Sequence, residues 1–196
     1  MIRKILSLKA KRKNDAIPVD AVIKDDTPVD PQKLFLNGIA VHPYQCISLE
    51  LGSSEPSVRA MDLITPIGMG QRGLIVAPPG CGKTTILKHI CQSVGKAYPE
   101  IKLYALLIDE RPEEVTDFKR SVPAEVHASS SDEGYAKHVR VANKLLSNAQ
   151  KQAGEGHDVM IVIDSLTRLS RVYNATQKGG GRTMTGGLDA RAMEIP

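Results

Sequence analysis

An α/β fold built on a parallel sheet is predicted for this 196-residue chain, and three observations predict it. Four short aliphatic runs, LIVA (74–77), LYALLID (103–109), EVHA (125–128) and VMIVID (159–164), alternate with segments of helical spacing. The runs are almost continuously apolar, as strands buried on both faces of a parallel sheet are. They end in small or acidic residues, and the first leads into a glycine-rich turn, so ligand chemistry is expected at the carboxyl ends of the strands.

The elements follow in order. Residues 1–32 are charged and punctuated by Pro18, Pro28 and Pro31, and they read as an extended tail or linker. The first 13 residues carry six basic side chains and no acid; a solvated tail accounts for this, with weak RNA or membrane-surface contact as the alternative. Residues 33–64 mix short apolar runs with turns and read as a connector of a few short strands. From Thr65 the strand–helix alternation begins. Helices are expected from about Lys83 to Val94, over roughly 111–120, and along SSDEGYAKHVRVANKLLSNAQKQA, where Tyr135, Val139, Ala142, Leu145, Leu146 and Ala149 share a face. Ser130 and Glu133 are spaced as a capping box at its start. A last helix runs through LTRLSRVY.

Composition narrows the function classes. A hydrophobic fraction of 41% supports a core, which must be aliphatic because the chain has no Trp and two Phe. The net charge of +4 permits a nucleic-acid partner without requiring one. Cys46, Cys81 and Cys91 form no paired or zinc-like spacing, and the five histidines show no metal or triad spacing. A reducing cytoplasm and no membrane span are expected.

Residues 77–84, APPGCGKT, fit the phosphate-binding loop pattern from Gly82 onward, with Ala77 in place of the first glycine. Strand before and helix after supply the required context. Gly80 and Gly82 let the backbone approach phosphates, and the helix N-terminus adds partial positive charge. Lys83 is expected on the β/γ phosphates and the Thr84 hydroxyl on Mg2+. Cys81 reads as a small side chain filling the turn. Asp164, closing VMIVID, fits an N-cap when read alone; beside a phosphate loop it fits the carboxylate of the magnesium site. In LLIDERPEE (106–114), Glu110 is the candidate for orienting and deprotonating the attacking water if its strand lies beside the phosphate-loop strand. Asp109 is expected to orient the loop and Arg111 to contact phosphate, while a charged cap on the following helix is the alternative. NATQKGGGRTMTGG (174–187) is a basic glycine loop in which Lys178 and Arg182 can touch an anionic polymer. Arg168 and Arg171 share a helix face.

These motifs together resemble one family, the ATPase domain of the bacterial transcription termination factor Rho. The resemblance rests on DLITPIGMGQRGLIVAPP (62–79), LLIDERPEEVT (106–116), IDSLTRLSRVYN (163–174) and TMTGGLDA (183–190), and more loosely on KLFLNGIAVHP (33–43). It covers about residues 33 to 196. It implies a RecA-like core over 65–196, and a hexameric, RNA-dependent ATPase and helicase. It implies ATP contacts at Gly68, Met69, Gly70, Gln71, Arg72 and Gly73, at Gly80, Cys81, Gly82, Lys83, Thr84 and Thr85, and at Arg111. It further implies Glu110 as the residue activating water, Asp164 at magnesium, Arg168 near the nucleotide, and Lys178 and Arg182 in an RNA-contacting loop. The RNA polymerase elongation complex is an implied partner.

The sequence departs from the family in three ways. The loop PPGCGKT lacks the lysine of the usual PPKAGKT. Residues 1–32 show no aromatic-rich pattern of an RNA-binding barrel. The family's later strands, second RNA loop and arginine finger have no counterpart before Pro196, so the core is expected to be incomplete C-terminally, with one sheet edge uncovered. An arginine finger contributes orders of magnitude in rate, so the expectation for this chain alone is ATP·Mg binding with very slow hydrolysis. The alternatives are a non-catalytic nucleotide-binding module that associates with full-length subunits, or another RecA-like ATPase.

Overall fold

A computed structural model describes residues 2–8, 30–40 and 42–176. In chain order its elements are β1 (Ile2–Leu8), α1 (Pro31–Leu36), β2 (Cys46–Ile47), α2 (Pro56–Ile64), β3 (Ile67–Gly68), β4 (Arg72–Val76), α3 (Lys83–Ala97), β5 (Lys102–Glu110), α4 (Pro112–Ser121), β6 (Glu125–Ser130), α5 (Tyr135–Gly154), β7 (Val159–Asp164) and α6 (Leu166–Thr176). The main sheet has the order β4-β1-β7-β5-β6, and β2 and β3 form a separate two-stranded ribbon.

The expected parallel sheet is present. β5 runs parallel to β6 and to β7. Because β1 is antiparallel to both β4 and β7, β4 and β7 point the same way. The carboxyl ends of β4, β7, β5 and β6 therefore share one rim of the sheet, the side where ligands of such folds bind.

Strand alternation divides the core into two layers. Leu103, Ala105 and Leu107 of β5 and Met160 and Val162 of β7 face a layer built by Leu87, Ile90, Cys91 and Val94 of α3, Val115 and Phe118 of α4, and Val58 of α2. Tyr104, Leu106 and Ile108, with Val159, Ile161 and Ile163, face Ala142, Leu145 and Ala149 of α5 and Leu169, Val172 and Tyr173 of α6. This period-two alternation between two apolar faces explains why the strands read as continuous apolar runs. β4 is less covered: Ile75 packs on the first layer, while Leu74 and Val76 are 53% and 66% exposed. Among the described residues it is one edge of the sheet.

Four local expectations change. Residues 2–8, expected in a tail, are a strand inside the sheet; the alternation Ile2, Ile5, Leu6, Leu8 was too interrupted to signal one. The connector 33–64 holds more helix than strand. α2 begins with Pro56 at its first position, a favoured helix start. The strand carrying Asp109 and Glu110 is not the neighbour of β4, because β1 and β7 stand between them. Ser130 and Glu133 do not cap α5. The Ser130 N–H does donate to Glu133 Oε2 at 3.2 Å, but Ser130 ends β6 and the helix starts after Gly134. The side-chain bond therefore closes a turn rather than a helix end. On α5 the buried line runs His138, Ala142, Leu145, Ala149 and Ala153. Tyr135 is exposed and Val139 and Leu146 are only partly covered.

Candidate nucleotide site

The phosphate loop spans residues 77–82 between β4 and α3. Gly80 and Gly82 lie in the left-handed region, at φ 77° and 72°. A Cβ at either would meet nothing within 4 Å, so backbone conformation, not crowding, calls for glycine there. The same open space leaves room for phosphate oxygens above the loop. Gly82 is the N-cap of α3, so the free amides of the first turn face that space.

Lys83 is 4% exposed. Its Nζ donates to the Ala77 carbonyl at 2.7 Å and also to the Pro78 carbonyl. The ammonium is thus folded back across its own loop, held by two carbonyls that a phosphate can replace. Thr84 is half-buried in the first helical turn, and Thr85 and Cys81 are exposed. The Cys81 Sγ lies 4.0 Å from the Pro79 carbonyl; it borders solvent rather than filling a packed turn.

The second part of the site stands at the ends of β5 and β7. Asp164 and Glu110 are both buried, Glu110 at 3% exposure. Asp109 precedes Glu110 with φ 59°, at a shift in the β5–β6 register between Ile108 and Glu110. Such a bulge re-aims the side chain that follows it. Arg168, in the first turn of α6, secures the result. Its Nη1 stands 3.0 Å from Glu110 Oε2 as an ion pair and donates to the Asp109 carbonyl. The part of Asp109 in this contact is its backbone carbonyl.

Burial, reinforced by the Glu114 carboxyl and the negative field of Asp164, pushes the Glu110 carboxyl up to about 7 against the pull of Arg168. A carboxyl poised there exchanges a proton near neutral pH. The Asp164–Ser165 peptide is cis.

The structure gathers some of the expected residues and separates others. Gly80 to Thr85, Asp164, Glu110, Arg168 and the exposed Arg111 at the N-cap of α4 all lie at the common rim. By strand spacing, Asp164 is roughly 10 Å and the end of β5 roughly 14 Å from β4 across the sheet. Residues 68–73 are not at this rim. Gly68 to Gln71 form a turn closed by the Gln71 N–H to the Gly68 carbonyl at 3.0 Å, with Gly70 at φ 89°. That turn precedes β4, so Gly68, Met69, Gly70, Gln71, Arg72 and Gly73 sit toward the opposite end of the strand, up to roughly 17 Å from the phosphate loop. Met69 is buried in the core. Arg171 is exposed, away from the ion pair that Arg168 makes. Lys178 and Arg182 lie outside the described residues. Sequence reasoning missed Glu114, in the first turn of α4, whose carboxyl acts on that of Glu110; Glu110 ends a strand, so no helical spacing links the two.

Magnesium fits the donor set. Among the described residues no three His, Cys, Asp or Glu side chains cluster as a metal cage. Mg2+ needs no such cage, because it keeps much of its water and binds one or two protein oxygens together with substrate phosphates. The Thr84 hydroxyl and the Asp164 carboxylate supply oxygens of that kind. A shallow concavity lined by Pro112, Glu113, Thr116, Asp117 and Arg120 lies on α4, outside this arrangement. Among the described residues no helix is long and apolar enough to cross a membrane.

Comparison with known proteins agrees with this geometry. The nucleotide-binding domain of the ATP synthase alpha/beta family matches residues 57–185. Transcription termination factor Rho of Haemophilus influenzae is 44% identical over 184 residues, 92% of this chain and 44% of that protein. Rho of Akkermansia muciniphila is 52% identical over 145 residues, 74% of this chain and 30% of that protein. Rho of Neisseria gonorrhoeae is 45% identical over 92% of this chain and 44% of its own length. The chain spans less than half the length of these curated relatives. With a phosphate loop and buried carboxylates on one rim of a RecA-like α/β core, and this likeness to Rho along most of its length, the chain belongs to the ATP synthase alpha/beta family through its nucleotide-binding domain.

Proposed function

We propose that this chain binds ATP·Mg as the ATPase part of a Rho-type, RNA-stimulated translocase that releases nascent RNA. The observation that carries this reading is the buried Glu110 carboxyl, locked by Arg168 beside Asp164 on the rim that also bears the phosphate loop. The triphosphate lies along the amides of residues 80–85, and Lys83 leaves the Ala77 and Pro78 carbonyls for the β/γ oxygens. Thr84 and Asp164 hold Mg2+, which draws charge from the phosphates when bound. Glu110, ionised, orients the attacking water and accepts its proton, while Arg168 keeps the carboxylate aimed. Arg111, exposed at the start of α4, reaches the phosphates from outside.

RNA contact through Lys178 and Arg182 and assembly into a hexamer belong to the same proposal, supported by the likeness to Rho. The free thiols of Cys46, Cys81 and Cys91 suit a reducing cytoplasm. In this reading the chain alone binds ATP·Mg and hydrolyses it very slowly.

Titration with a fluorescent ATP analogue tests the site. Lys83→Ala is expected to weaken binding by about tenfold or more, as loss of a charge-assisted contact does. Unchanged binding would show that the phosphates are held elsewhere. Robust poly(C)-stimulated hydrolysis by the purified chain would overturn the slow-turnover part.

A further inference from the structure

We propose that the N-terminal strand β1 is a positioning element of the nucleotide site, setting the gap between the phosphate loop and Asp164. Its ligand is the ATP·Mg of the reading above; its structural basis is backbone pairing alone. β1 is the one strand of the main sheet, among the described residues, that runs against the others, and it stands between β4 and β7. On one side Ile2 to Leu6 pair with Val76 to Arg72. On the other Lys4 to Leu8 pair with Ile163 to Val159. Lys4, Ile5 and Leu6 are therefore flanked on both sides. Among the described residues β4 has no other strand partner, so the phosphate loop joins the rest of the sheet through this strand.

The register gives the strand its functional weight. Ile2 is opposite Val76, the last residue of β4 before the loop. Lys4 is opposite Ile163, the residue before Asp164. The height of the loop relative to Asp164 is thus read off β1. A slip of two residues, the smallest that keeps each residue on its own face, moves one against the other by roughly 6.6 Å. Mg2+ accepts ligand oxygens only at about 2.1 Å, so a slip of that size separates Asp164 from a metal carried on the phosphates.

Two measurements on the full chain test this. In hydrogen exchange of the wild type, the amides of Lys4, Ile5 and Leu6 are expected to be protected as strongly as those of Ile161 to Ile163. Exchange at open-chain rates would overturn the proposal without any variant and without nucleotide. The second measurement is Ile5→Pro, which removes a ladder N–H from the middle of a central strand. It is expected to weaken ATP·Mg binding by about tenfold or more and to abolish the gain in affinity that Mg2+ gives. Binding equal to wild type with the Mg2+ gain intact would also overturn it. If the wild type bound no ATP while its β1 amides were protected, the nucleotide reading would fail and the pairing would stand. If it bound ATP with β1 unprotected, the strand's role alone would fail. Exchange of the β5, β6 and β7 amides in Ile5→Pro separates loss of the gap from loss of the fold.

Discussion

The proposed chemistry concentrates in Glu110, and its proton decides two observables. Its carboxyl is raised from 4.5 to about 7 in the folded chain, first by burial. Below pH 4.5 both folded and unfolded states carry the proton and the group contributes nothing to stability. Between 4.5 and 7 the unfolded carboxyl ionises while the folded one keeps its proton, so stability falls as pH rises. Above 7 the whole penalty is present. Glu110→Gln is therefore expected to melt higher than wild type at pH 8 and equally at pH 4, in paired thermal scans. Hydrolysis, however slow, should rise through pH 7 in the wild type and vanish in this variant, since the ionised form is the one that accepts a proton. Arg168 works against burial, so Arg168→Ala should move the rise to higher pH. An unchanged midpoint would mean that the ion pair does not hold Glu110. Asp109 carries backbone strain at φ 59°. Asp109→Gly is expected to raise stability by about 0.5–1 kcal/mol by urea denaturation.

Among the elements, α4 shows how the rim is held and α1 how the far end of α5 is covered. α4 starts with Pro112 and has Glu113 and Glu114 in its first turn and Lys119 and Arg120 in its last, matching the helix dipole. Its anchor is Phe118, 1% exposed. Phe118→Ala should cost about 3–5 kcal/mol by urea denaturation, the range for emptying a core aromatic site. α1 lies on α5, with Phe35 against the second apolar layer and the Gln32 amide donating to Gln150 Oε1 at 2.8 Å. Gly154, at the end of α5, has no room for a side chain, because a Cβ there would overlap the Pro31 carbonyl. Gly154→Ala should lift α1 and cost about 1–3 kcal/mol, as overpacking does. Faster exchange at residues 34–37 with an unchanged β5–β7 core would localise the effect.

For the whole molecule, β4 is the exposed flank. Leu74 and Val76 present apolar surface at an edge strand, a surface that invites association. Leu74→Glu should leave the melting temperature nearly unchanged, within about 0.5 kcal/mol for an exposed position, while lowering light scattering at high concentration. Unaltered scattering would show that this face does not drive association.

Much of the core was legible in the sequence. The phosphate-loop turn, the apolar strands and the carboxylates after them are local patterns of spacing and hydropathy. Each sets its own backbone: glycine where φ is positive, apolar residues where both sheet faces are covered, and proline where a helix begins. Strand order is a different quantity. It depends on which hydrogen-bonding edges meet after distant segments pack, and no residue encodes its neighbour across a sheet. Only the tertiary structure seats residues 2–8 between β4 and β7, separates β5 from β4, and sends the turn at 68–71 to the far end of its strand. It alone buries Glu110 against Arg168 and Asp164. Glu110 and Arg168 are 58 residues apart in the chain, and a pKa near 7 arises from the charges and the lost water around a group once the fold has closed on it.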